Sequence, residues 1–178
     1  MTDALTMKKI DFGEPTKVPF GKCWIVPFDR PYITGSIVGI DPGSRYGVTI
    51  IHDTFMTILG GAFIRQRTEE EYAELAFDMM SELIVLGTNM AAIEGPSYGS
   101  PYHQAGLAHI RMGFYLGLRQ RFIPTTLVAP KSARKFVFGS GKIRASEVWT
   151  TINPNAADSV AIAMYAAGIT YDIQGDLK

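Results

Sequence analysis

The sequence predicts an α/β fold: a mixed five-stranded sheet, three antiparallel strands and then parallel ones, flanked by helices. Three observations predict it. Apolar runs rich in β-branched residues at 37–41, 46–51 and 55–65 follow one another through short turns, which is the pattern of an antiparallel meander. A long amphipathic stretch, 67–86, separates them from a fourth apolar run at 90–93, and a strand–helix–strand unit of that length closes as a parallel crossover. A chain of 178 residues with 47% hydrophobic and 19% charged content suits one packed domain, here placed at 37–172 with a tail at 173–178.

Taken in order, residues 1–36 carry four of the ten prolines. Prolines at that density interrupt pairing, so this segment reads as an irregular arm or a loose hairpin, and no chemistry is read in it. The first strand ends in Asp41, followed at once by Pro42 and Gly43, and a tight turn leads into the second. In the third, Gly60 and Gly61 suggest a bulge or twist point. The helix over 67–86 opens with a capping box, Thr68 with Glu71, and Tyr72, Leu75, Ala76, Met79, Met80 and Leu83 recur at helical steps along one side. Residues 87–89 break it, and the fourth strand again ends in an acid and turn residues, Glu94-Gly95-Pro96.

The next helix, 104–121, carries Leu107, Ile110, Phe114 and Leu118 on one face, with Ala105, Ala108, Gly113 and Gly117 allowing close approach. It suits either the core or a seam with a second copy. A fifth strand at 125–128 leads to a short basic helix, 131–138, ended by Gly139-Ser140-Gly141, and to a helical stretch at 144–152. The last helix starts at Pro154 with Asn153 as its cap. Helical steps from Asp158 to Ala161, Ile162 and Tyr165 put Asp158 on the buried face. A charge there demands a partner.

Parallel pairing places Asp41 and Glu94 at the carboxyl ends of neighbouring strands, where ligands bind in such sheets. Asp41 alone reads equally well as an Asx-type turn cap; Glu94 and Asp158 shift the balance towards a shared site. Three carboxylates without cysteine or histidine suit Mg²⁺, or Mn²⁺, rather than zinc, and two such ions about 4 Å apart are a standard device for attack on a phosphodiester. Net charge is zero, yet 95–150 holds eight Lys or Arg against one acid, Glu147, while acids collect in 69–82. That segregation gives a polyanion a place to dock, unless it is simply a solvated basic face. The lone cysteine, Cys23, excludes an internal disulfide and a cysteine zinc cluster and suits a reducing compartment. The apolar run 159–171 is too short to span a bilayer, and the acidic early residues argue against a signal or transit peptide. The expected location is cytoplasmic.

The order of elements and the position of the acids resemble the ribonuclease H fold. More narrowly, GIDPGS at 39–44, AAIEGP at 91–96, APKSARKFVFGSGKIRASEV at 129–148 and NPNAADSVAIAMYAA at 153–167 resemble the RuvC-type Holliday-junction resolvases. The resemblance spans 37–168. It implies a homodimeric, metal-dependent endonuclease with two ions per site that nicks opposed strands of a four-way DNA junction in recombination and repair, in a bacterium or a phage-infected cell. It also implies Asp41, Glu94 and Asp158 as metal ligands and dimerisation through the 104–121 helix. Where the family carries an acid or a histidine three residues before the final aspartate, this chain has Asn155, either a neutral oxygen ligand that weakens the second ion or a helix-start residue bonding backbone. Lys131, Arg134, Lys135, Lys142 and Arg144 fall in the family's basic region, with Ala145 where a lysine is common. Tyr98 or Tyr102 stands where the family stacks an aromatic on a base, and as ordinary surface tyrosines both fit equally well.

Two other functions stay open: a junction- or DNA-binding protein of this fold with weak or lost catalysis, motivated by Asn155, and a ribonuclease H-fold nuclease acting on RNA–DNA hybrids. An actin- or sugar-kinase-like ATPase needs a second domain and phosphate loop, for which 178 residues leave no room.

Overall fold

The computed structural model describes residues 5–7, 10–27, 35–63, 68–84, 87–96 and 104–173. In chain order the elements are β1 (Leu5–Met7), β2 (Thr16–Val18), β3 (Gly21–Pro27), β4 (Ser36–Asp41), β5 (Arg45–Ile51), β6 (Phe55–Ala62), α1 (Glu69–Leu83), β7 (Thr88–Glu94), α2 (Gln104–Gln120), β8 (Thr125–Val128), α3 (Pro130–Phe138), α4 (Ala145–Val148), α5 (Pro154–Ala166) and β9 (Ile169–Tyr171). The five expected strands are present as β4, β5, β6, β7 and β8. The main sheet nevertheless has seven strands, ordered β2-β3-β6-β5-β4-β7-β8. The two extra strands come from the N-terminal segment, whose β2–β3 hairpin pairs antiparallel with the edge of β6. Its prolines permit this because of where they fall: Pro19 lies in the turn and Pro27 is the last residue of β3, positions where a missing N–H costs little. A separate two-stranded ladder joins β1 to β9 in parallel.

β4 pairs antiparallel with β5 and parallel with β7, which pairs parallel with β8. β4 is buried along its whole length, as expected of a strand covered on both faces. Its alternate residues divide between two cores. Val38 and Ile40 join Val48, Met79, Met80, Phe114 and Leu118 under α1 and α2. On the other face Ile51, Met56 and Ile58 pack with Trp149, Ala156, Val160 and Met164 beneath α4 and α5.

α1 starts with the capping box read from the sequence: Glu71 N–H donates to Thr68 Oγ1 and Thr68 N–H to Glu71 Oε2. In α2 Gly113 and Gly117 face α1, since a Cβ on Gly113 would meet the Ala73 backbone and one on Gly117 the side chain of Met80, whereas Ala108 is exposed at the acidic cleft. That close approach is therefore made inside the chain. Met112 and Leu116, one turn apart on the opposite side, are about half exposed at 53% and 50%.

α5 is seated on a strip of glycines. A Cβ at Gly39 would strike the backbone of Ser159 and Ala163, one at Gly47 the Asn155 carbonyl, and one at Gly60 the side chain of Asn153. The ladder of β5 with β6 runs unbroken through Gly60 and Gly61, so these glycines form no bulge. They clear room for the start of α5 and for the Phe20 carbonyl. Asn153 caps α5, accepting from Ala156 N–H at 2.8 Å, with Pro154 in the first turn, and a buried Thr49–Ser159 hydroxyl pair at 2.8 Å pins its middle to β5.

Candidate metal and nucleic-acid site

Sheet register and the glycine seat bring the site together. Asp41 is the last residue of β4, Glu94 the last of the adjacent parallel strand β7, and Asn155 and Asp158 project from the first two turns of α5. Asp41 is buried, 8% exposed. Its carboxyl group shares a hydrogen bond with Glu94, and Asn155 Nδ2 donates to its Oδ2 at 2.8 Å. Asn155 thus turns its amide donor to the carboxylate, a bond across the site that the sequence did not suggest.

Burial is the largest influence on all three acids. It raises Asp41 well above the ordinary aspartate range, and the negative charges of Glu94 and Asp158 add to it. Glu94 is pushed from 4.5 up to about 7 by burial and then by Asp158, against Arg134 and Arg111. Asp158 is raised by burial, while Arg134 and Arg144 pull it down. Two carboxyl groups within hydrogen-bond reach cannot both ionise cheaply, so the pair favours its protonated form relative to free carboxyls.

Asp41, Glu94 and Asn155 line one open cleft of about 610 Å³, together with Arg45 and Arg111. Asp158 stands beside this group, near enough to repel the other two acids and facing Arg134 and Arg144. Among the described residues no three of His, Cys, Asp and Glu are drawn into a finished cation cage. The donor set is still what a hard divalent ion takes: carboxylate and amide oxygens, desolvated, without sulfur or imidazole.

The expected basic residues divide into two groups. Arg134 on α3 is half-buried against the acids and bonds the Pro130 carbonyl through Nε at 3.3 Å. Arg144 precedes α4 and faces Asp158, its N–H bonded to Glu147 at 3.0 Å. Lys131 and Lys135 on α3 and Lys142 in the turn after it are exposed. Tyr98 and Tyr102 lie outside the described residues. Two cations were not singled out from the sequence. Arg111 on α2 donates from Nε to the Glu94 carbonyl at 2.8 Å and is drawn to the charges of Glu94 and Asp41. Arg45, at the start of β5, is exposed at the cleft. The one sequence signal for Arg111 was its position beside Ile110 and one turn after Leu107, at the edge of the apolar face of α2.

No family model and no curated protein matches the chain. Among solved structures it is similar to Thermus thermophilus RuvC, with TM-score 0.61, 15% identity, and coverage of 75% of this chain and 93% of that one. It is equally similar to Thermus thermophilus RuvC in complex with a Holliday junction substrate, with TM-score 0.61, 13% identity and the same coverage of 75% and 93%. At these identities the likeness is one of architecture. A mixed sheet flanked by helices, with paired acids where β4 and β7 end, gives this chain a RuvC-like, ribonuclease H-like α/β fold.

Proposed function

We propose that the chain is a metal-dependent endonuclease acting on branched DNA, with four-way junctions as its principal substrate. The observation that carries this reading is the hydrogen-bonded Asp41–Glu94 pair at the ends of two adjacent parallel strands, with Asp158 and Asn155 facing it from α5 and Arg111, Arg134 and Arg144 around it. The complex named for one structural neighbour, RuvC with a Holliday junction, supports the choice of substrate.

Asp41, Glu94 and Asp158, with the Asn155 side chain beside them, would hold Mg²⁺ or Mn²⁺, two ions per site. Such ions supply an activated hydroxide and neutralise the leaving oxygen. The chain's own groups do the rest. Asp41 and Glu94, raised by burial and by each other, would be held in their ionised form by such cations, because a nearby positive charge favours it. Arg134 and Arg144 flank Asp158, so a phosphate drawn to them comes to rest against the acids. Lys131, Lys135 and Lys142 extend the positive surface for the DNA backbone. A homodimer through the outward side of α2, where Met112 and Leu116 are exposed, would offer two such sites to opposed strands. A cytoplasmic setting, bacterial or phage-infected, fits this reading.

The test sets a synthetic four-way junction beside linear duplex and RNA–DNA hybrid, with and without Mg²⁺. Nicking should require the ion, prefer the junction, and vanish in Asp41→Asn, Glu94→Gln and Asp158→Asn while junction binding persists. Undiminished cleavage by all three variants would end the assignment. The Asn155–Asp41 bond favours a second reading, a junction binder with weak catalysis, because it places a neutral donor against the most buried acid. Shifted gels without nicks at every Mg²⁺ and Mn²⁺ level would select it.

A further inference from the structure

The sequence suggested no chemistry for the N-terminal segment, but the sheet register gives its hairpin a position relative to the acids. Across the sheet, Asp41 is opposite Gly47, Gly47 opposite Gly60, Gly60 opposite Lys22, and Lys22 opposite Lys17. Residues directly opposite one another share a face. The same face is fixed independently by β3, where Trp24 and Val26, at two-residue steps from Lys22, are buried in the core beneath α5. One tier therefore begins at the acid, runs through the two glycines on which α5 begins, and emerges beyond that helix as two exposed lysines. Arg45 stands on the same face, one step further out from Gly47, and is also exposed.

Lys17 and Lys22 form a like-charge cross-strand pair, which is unfavourable in a hairpin. Neither has an ion-pair partner among the described residues. Strand spacing puts Lys22 about 14 Å and Lys17 about 19 Å from Asp41, a span of about 4–6 base pairs of B-form duplex. The Arg134 and Arg144 guanidiniums approach the acids from α3 and α4, so Arg45, Lys22 and Lys17 carry positive charge away from the site along a separate path, across the sheet.

We propose that the β2–β3 hairpin is a second DNA-backbone contact, holding through Lys17 and Lys22 the phosphates of a duplex arm that leaves the acidic site across the start of α5. The inference rests on the nucleic-acid reading above and adds to it the course of one arm. A competing account is that an edge-strand lysine only blocks edge-to-edge pairing. That role has no bearing on DNA affinity.

The experiment measures junction binding in Ca²⁺ between 50 and 200 mM salt for the full chain and for K17Q/K22Q, with melting curves to verify that both are folded. Each phosphate contact contributes about 0.9 to the slope of log affinity against log salt. The double variant should lower the magnitude of that slope by about 1.8, so that it loses about 12-fold less affinity than wild type over this range. K17E/K22E should bind more weakly still. A slope unchanged in K17Q/K22Q, with wild type binding well, overturns the hairpin contact and leaves the proposed function standing. A wild-type chain that binds neither junction nor duplex overturns both.

Discussion

Replacing Asn155 with aspartate tests the electrostatics of the site most directly. In the metal-free protein Asn155 Nδ2 donates to Asp41 Oδ2 at 2.8 Å, and it is the side chain that draws the Asp41 carboxyl back towards its ordinary range. Asn155→Asp removes a hydrogen bond to a carboxylate, a loss of about 1.5–3 kcal/mol. It also sets a fourth acid against an already desolvated pair. Two unit charges 4 Å apart repel by about 4 kcal/mol at an effective dielectric constant of 20, although proton uptake relieves much of this. A net loss of about 3 kcal/mol follows, and in a chain of 178 residues that lowers Tm by about 6–12 °C.

Divalent ions should reverse the effect. The added carboxylate binds cations more tightly than the amide, and a ligand at 100 times its Kd stabilises by about 2.7 kcal/mol. The assay is thermal melting of wild type, Asn155→Asp and Asn155→Ala in chelator and across a Mg²⁺ titration, with junction nicking read in parallel. Asn155→Ala loses the bond without adding charge, so it should melt between the other two in chelator and show no extra response to Mg²⁺. Asn155→Asp should recover most of its deficit and nick at lower Mg²⁺ than wild type. Equal melting of Asn155→Asp and wild type in chelator, or identical Mg²⁺ responses, would refute the reasoning.

The remaining expectations concern protons, seating and assembly. Glu94 has a folded pKa raised from 4.5 to about 7, so the fold favours its neutral form: the stabilisation is complete below pH 4.5 and lost as pH rises through 7. Metal-free stability should fall by about 3 kcal/mol across that window, as read by urea unfolding, and a Glu94→Gln variant with the same pH slope would contradict it. Gly39→Ala drives a Cβ into the α5 backbone at Ser159 and Ala163, overpacking that costs about 1–3 kcal/mol or more. A Tm within 1 °C of wild type would show that α5 is not seated as described. Met112→Glu with Leu116→Glu should convert a wild-type dimer to a monomer in light scattering, and an unchanged mass would remove the α2 outer face as its interface.

Much of the fold was legible because it is written in local terms. Asp41 and Glu94 each follow a β-branched or apolar run and precede Pro or Gly, so strand end and acid are read together. Asp158 shows its inward direction by helical spacing to Ala161 and Ile162 alone. A loose hairpin was legible in the N-terminal segment, but its pairing onto the edge of β6 was not, because Pro19 and Pro27 fall where no ladder hydrogen bond is needed. Gly60 and Gly61 look like a bulge in sequence; their reason is a helix and a carbonyl that arrive from elsewhere in the chain. Arg111 is likewise silent in sequence, since its partners Glu94 and Asp41 lie 17 and 70 residues away and only the α2–β7 packing introduces them.

Positive charge is unevenly distributed around the acids. Arg111 and Arg134 act on Glu94, and Arg134 and Arg144 act on Asp158. Asp41, the most buried of the three, has the Asn155 amide opposing the influences that raise it, with Arg111 also drawn to its charge. Burial and mutual repulsion therefore raise the Asp41–Glu94 pair, while Arg134 and Arg144 pull Asp158 down. An added positive charge gains most where compensation is poorest, and that place is beside Asp41, at the junction of β4, β7 and the first turn of α5. A positive charge placed there would relieve the mutual repulsion of the three carboxylates and oppose the rise that burial imposes on them.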